Sequence, residues 1–105
     1  MGNHHYAIQD FNRAIDLDDS NPYSYFHLGV SKLKSRLVRE AIEDFNKANS
    51  LDENPAAHDG LGCCYHHLRD YDEAISYFNL AIGAKPDNVD FLRNRAQCYY
   101  DMEQY

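Results

Sequence analysis

The chain has 105 residues, with 10 Lys or Arg against 17 Asp or Glu and a formal net charge of −7. Its hydrophobic fraction of 44%, with nine Tyr and five Phe, is enough for a packed core and excludes a disordered acidic tail. The acidic balance argues against a general nucleic-acid binder, which needs Lys and Arg to displace counterions from phosphates.

The length suits a single domain over 1–105. No apolar run approaches the ~20 residues that span a bilayer, so no membrane partner is expected. Met1-Gly2-Asn3-His4-His5-Tyr6 lacks the charged region and apolar stretch of a secretory signal. Cys63, Cys64 and Cys98 are odd in number and two are adjacent, a poor disulfide framework. Reduced thiols in an intracellular, cytoplasmic setting are therefore expected.

The first predicted element is a helix over 4–17. Its Ala7, Ile8, Phe11 and Ala14 fall at i, i+1, i+4 and i+7, one face of a helix with 3.6 residues per turn. The second, over 22–35, opens on Asn21-Pro22: Asn caps free N–H groups, and Pro is pre-set for the first helical position. The third, over 38–50, restates the first 34 residues later, with Ala41, Ile42, Phe45, Asn46 and Ala48 in the pattern A-I-x-x-F-N-x-A. The fourth, over 55–69, opens on Asn54-Pro55, 33 residues after the earlier Asn-Pro. The fifth, over 71–84, repeats the pattern at Ala74, Ile75, Phe78, Asn79 and Ala81. The sixth, over 88–104, starts near Asp87-Asn88 and carries Ala96 in the column of Gly29 and Gly62.

Short connections force consecutive helices to pack antiparallel, and the alternation of two helix types, in B-A-B-A-B-A order, describes a solenoid. Gly29 with Ala41, and Gly62 with Ala74, mark the close approach within pairs. Phe45 and Phe78 are expected to fill the space between one pair and the next.

These columns resemble the tetratricopeptide repeat (TPR) family. Its pattern is a bulky residue, Leu, Gly or Ala and Tyr on helix A, then Ala, an aromatic and Ala on helix B, with Pro near the end. One copy reads Tyr25, Leu28, Gly29, Ala41, Phe45 and Ala48; the next reads His58, Leu61, Gly62, Tyr65, Ala74, Phe78, Ala81 and Pro86. The resemblance implies an all-α, right-handed superhelix of about six antiparallel helices. Its units are a half repeat over 1–21 (helix B only), full repeats over 22–54 and 55–87, and a half repeat over 88–105 (helix A only). Lys32 stands where Tyr65 and Tyr99 stand in the other copies. Arg36 and Arg69 replace the glycine usual at the A-to-B turn, which Gly2 retains. In a left-handed conformation each arginine costs about 1 kcal/mol. The last helix offers Tyr99, Tyr100, Met102 and Tyr105 with nothing following. That suggests a piece of a longer array, or a unit whose ends pair with other copies as a homo-oligomer.

The cluster Cys63-Cys64-Tyr65-His66-His67 places a thiol and two imidazoles at i, i+3 and i+4, where a metal site or a Cys–His couple could form. No second pair is spaced to complete a zinc set, and Asp59 lies on the same helix face without a pocket. The expectation is a small buried residue at Cys64, polar surface at His66 and His67, no metal, no cofactor and no enzyme. Lys32, Lys34, Arg36 and Arg39 form a basic run that could receive an acidic partner, but the favoured reading is a solvated helix end.

In TPR proteins the A helices line the inside of the superhelix and hold extended peptides or partner helices. The resemblance therefore implies a non-catalytic scaffold with a protein partner in its groove. Its inward positions are Tyr23, Phe26, Val30, Leu33 and Lys34 on the first A helix. They continue as Ala56, Asp59, Cys63, His66 and His67 on the second and Asp90, Arg93, Gln97, Tyr100 and Asp101 on the third. The competing reading of Tyr23 and Phe26 is packing on the preceding B helix. TPR co-chaperones clamp C-terminal carboxylates of heat-shock proteins with Lys, Asn and Arg. Here those slots hold Phe26, Val30, Gly60, Asp90 and Asn94, so carboxylate clamping is not expected.

Overall fold

Three asparagines start the A-type helices as their positions require. Asn21, Asn54 and Asn88 sit in extended backbone, and their side-chain oxygens accept from the amides of Tyr23, Ala56 and Phe91 at 2.9, 2.9 and 3.0 Å. The computed structural model describes residues 2–104. Its helices are α1 (Gly2–Leu17), α2 (Pro22–Lys34), α3 (Val38–Leu51), α4 (Pro55–His67), α5 (Tyr71–Ala84) and α6 (Val89–Met102). No strand occurs among the described residues, and none of their helices is long and apolar enough to cross a membrane. The fold is an all-α solenoid of six helices.

Both arginine turns adopt left-handed backbone, with φ 69° at Arg36 and 63° at Arg69. Each closes a helix end with two backbone bonds. Leu37 N–H donates to Lys32 at 2.8 Å and Arg36 N–H to Leu33 at 3.0 Å; Asp70 donates to Tyr65 at 2.9 Å and Arg69 to His66 at 3.0 Å. This is the Schellman arrangement, which satisfies carbonyls the helix leaves free. The expected turn at Gly2 is not formed. Gly2 is already helical, and no described glycine has positive φ; each residue added to a helix gains a backbone bond.

The repeated columns form the core. Leu28, Ala41, Phe45, Ala48, Leu61, Ala74, Phe78 and Ala81 are all buried. A Cβ on Gly29 would lie 3.0 Å from the Phe45 ring, one on Gly60 2.6 Å from the same ring, and one on Gly62 2.6 Å from Phe78. Phe45 is thus seated between a glycine of its own repeat and a glycine of the next. Cys64, Cys98 and Ser31 are buried in their shared small-residue column.

The departure at Lys32 has a matching change on the facing helix. Tyr65 stacks on Tyr77 with ring centroids 5.6 Å apart. In the preceding copy Lys32 and Asp44 occupy those two columns and form an ion pair at 3.0 Å, with Glu40 at 3.5 Å. Burial pushes the Asp44 carboxyl above its usual range although Lys32 opposes the shift. One packed aromatic pair has been exchanged for one half-buried ion pair.

Candidate partner-binding groove

Helices α2, α4 and α6 lie side by side, in contact across one face of the array. At the α2 end, Tyr23 is 68% exposed. It stacks on His27 at 4.8 Å, and His27 stacks in turn on Phe11 of α1 at 5.7 Å. Phe26 turns forward rather than back: its ring lies 5.8 Å from Phe45 of α3. With Val30 and Leu33 it packs half-buried on the cluster formed by Ala41, Phe45, Ala57, Leu61 and Cys64. These three side chains therefore serve the seam between helices and leave only part of their surface open. Lys34 is exposed at the helix end.

The middle of the face is polar and tied together. Asn94 of α6 donates to both carboxylate oxygens of Asp59 at 3.1 Å. Burial pushes the Asp59 carboxyl up to about 6, against the opposing pull of the Asn94 bond. One turn later, burial and then the nearby Asp59 push the Cys63 thiol up to about 12. It stays a neutral thiol at physiological pH, the weakly nucleophilic form of cysteine. His66 Nε2 lies 2.6 Å from Asp101 Oδ2, and Gln97 donates to the other oxygen at 3.0 Å. The His66 bond holds the exposed-side Asp101 carboxyl below the usual range.

Two links therefore join α4 to α6, Asp59 to Asn94 and His66 to Asp101, each seven residues from the other along both helices. Asn94 was not among the expected groove residues. The shared spacing of two helical turns identifies the pair only once α4 and α6 are known to lie side by side.

Arg93 pairs with Asp90 at 3.2 Å, both exposed, and Tyr100 is 61% exposed. His67 is exposed and, with His66, borders an open hollow of about 410 Å³ that also touches Arg69, Tyr71, Asp101 and Gln104. Ala56 belongs to a second, more enclosed cleft of about 320 Å³ between α2, the end of α3 and the start of α4. Tyr23, Phe26, Ala48 and Pro55 wall it, and Asp52 and Glu53 stand at its lip. Those two carboxylates lie in the connection between α3 and α4, outside the helix faces whose spacing marks the expected groove. Among the described residues, no group of three or more His, Cys, Asp and Glu is placed to share a metal ion.

A tetratricopeptide repeat family model matches residues 28–89 and 69–104. The 131 kDa subunit of transcription factor tau from Saccharomyces cerevisiae is 28% identical over 102 residues, covering 93% of this chain. Human tetratricopeptide repeat protein 6 is 30% identical over 97 residues, covering 91%. The chain spans only 9% and 18% of the lengths of these two relatives. Among solved structures, the first TPR of Spaghetti (RPAP3) bound to the HSP90 peptide SRMEEVD superposes with a TM-score of 0.90 at 18% identity, covering 97% of this chain and 82% of that one. The Arabidopsis OM64 TPR domain gives 0.88 at 23% identity, with coverages of 92% and 81%. The second TPR domain of human RPAP3, in complex with the HSP70 peptide SGPTIEEVD, gives 0.86 at 23%, with coverages of 93% and 82%.

Proposed function

The chain belongs to the tetratricopeptide repeat family, and from that premise we propose that it is a non-catalytic interaction module. It holds a peptide or helical segment of a partner protein along the face lined by α2, α4 and α6. The observation that carries this reading is Tyr23, a large aromatic left 68% exposed beside the half-buried Phe26 at a cleft. Exposed aromatics bordering a cleft are the usual anchors of protein recognition. Two of the solved relatives hold peptides on the same fold. The neutral Cys63 thiol and the engagement of His66 with Asp101 support the absence of a catalytic role.

The partner is not held by a clamp on its terminal carboxylate. The Asn slot of such a clamp is Gly60, where even a Cβ would meet the Phe45 ring at 2.6 Å. Asp90 fills a cationic slot with the wrong charge, and Asn94 is already bound to Asp59.

Affinity capture from lysate, comparing the native chain with a Tyr23→Ala/Arg93→Glu variant of equal helicity, tests the groove. Partners lost by the variant are expected; equal capture by both would sink the reading. Phe26 is left in place because it also packs on Phe45.

A second reading, self-association through the terminal helices, is favoured by Leu92 and Tyr99 of α6, which are 38% and 48% exposed. It ranks second because the columns mismatch. Tyr99 stands where Tyr65 meets Tyr77 and Lys32 meets Asp44, whereas α1 presents Asp10 in the facing column. Sedimentation at increasing concentration separates the two readings, since a constant monomer mass removes the second.

A further inference from the structure

In an array built from one repeated unit, columns that recur serve the fold, and columns that differ are free to serve something else. The junction of α2, the end of α3 and the start of α4 can be set beside the junction of α4, the end of α5 and the start of α6. Ala48 recurs as Ala81, and the cap Asn54 recurs as Asn88. Six other lining columns change: Tyr23 becomes Ala56, Phe26 becomes Asp59, Asp52 becomes Lys85, Glu53 becomes Pro86, Pro55 becomes Val89 and Ala56 becomes Asp90. Only the first junction combines aromatic walls with an acidic lip. Among the described residues lining its cleft of about 320 Å³, none is Lys or Arg.

Two of these choices work against the folded chain by itself. Tyr23 leaves most of its ring in water. Asp52 caps the C-terminus of α3, where the helix dipole already concentrates negative charge, and the last turn of α3 holds no basic residue. Lys85, the cap of α5, is the favourable choice at the equivalent place. Glu53 adds a second carboxylate, exposed apart from its 3.4 Å approach to His58. A negative helix end, two carboxylates and an aromatic face, gathered round an apolar cleft, are complementary to one kind of group: a cation carried on an apolar stem.

We propose that this cleft receives a Lys or Arg side chain from the partner segment. The stem lies across Phe26 and Ala48, and the cation meets Asp52, Glu53 and the face of Tyr23. This rests on the groove reading above and names the chemistry of the partner at one end of it.

The test is to pan a phage-displayed library of random peptides against the intact chain and measure the selected peptides by fluorescence anisotropy. Selected sequences are expected to share a Lys or Arg. Their affinity is expected to fall about fivefold to tenfold in Asp52→Asn/Glu53→Gln, the scale of one charge-assisted contact. A control variant that loses the same charge elsewhere, Glu43→Gln/Asp72→Asn, should bind as the native chain does. In the absence of peptide, Asp52→Asn should raise the melting temperature, because it relieves the helix end.

Peptides without a shared cation that still lose binding in Tyr23→Ala would overturn this inference and leave the groove reading intact. Basic peptides that bind the double variant and the control equally well would overturn it as general attraction to an acidic chain. Failure to select any peptide would remove the groove reading with it.

Discussion

Glycine at position 60 illustrates how one hydrogen atom can be a packing requirement. A methyl there would press on Phe45 at 2.6 Å, whereas one on Gly83 would meet nothing within 4 Å. Gly60→Ala is expected to destabilise by about 1–3 kcal/mol through overpacking. Gly83→Ala should stabilise by about 0.5–1 kcal/mol through its higher helix propensity. Urea midpoints of the two variants check both signs. Gly29 and Gly62 were legible because they recur 33 residues apart; Gly60 has no such echo, since its column holds His27 and Asn94 in the neighbouring copies. Asp59 makes a second residue-scale prediction. Its folded-state carboxyl is raised to about 6, so between the usual carboxylate range and that value the native chain binds more protons than the unfolded chain. This contribution to stability therefore grows as pH falls from 6 toward 4. Asp101, held low, acts oppositely, and its contribution is lost only as pH falls below the usual range. Asp59→Asn should flatten the slope of melting temperature against pH in the upper window, and carboxyl NMR titration should show a group near 6 that disappears in the variant.

At the scale of the element, the helices end where local chemistry ends them. The left-handed turns at Arg36 and Arg69 carry two satisfied backbone bonds each but place a side chain where glycine is least strained. Arg36→Gly and Arg69→Gly are each expected to stabilise by up to about 1 kcal/mol, the relief of that strain less the added freedom of the unfolded chain. Thermal melts showing a clear loss in both variants would contradict the strain argument. The turn positions were readable from the repeat register and from the family resemblance. The pairing of Lys32 with Asp44 was not, although both columns were visible. Recognising it required knowing that Tyr65 and Tyr77 face one another across α4 and α5, which is a fact of packing.

At the scale of the whole molecule, protection should follow burial along the array. The two core clusters draw their fully buried members from α3, α4, α5 and α6, while α1 contributes none among the described residues. In α1 the residues matching Ala41, Phe45 and Ala48, namely Ala7, Phe11 and Ala14, are only half-buried. Because each repeat is stabilised chiefly by its neighbours, native-state hydrogen exchange should find α1 opening first and α3 to α5 last. Uniform protection across all six helices would mean that the array opens as a single cooperative unit instead.

The number, order, alternation and caps of the helices, and the columns that form their core, were determined by the sequence itself. Each depends on neighbours within about one turn, or on identical residues returning after 33 or 34 positions. Which of the non-repeating residues meet was decided only by the tertiary structure. Asp59 finds Asn94 and His66 finds Asp101, 35 residues apart, because α4 and α6 settle side by side at one register. The same packing turns Tyr23, Phe26, Asp52 and Glu53, drawn from two helices and a connection, into the border of a single cleft. Residues without a periodic echo carry no mark of their partners until the angle and spacing between helices are set by the side chains packed between them.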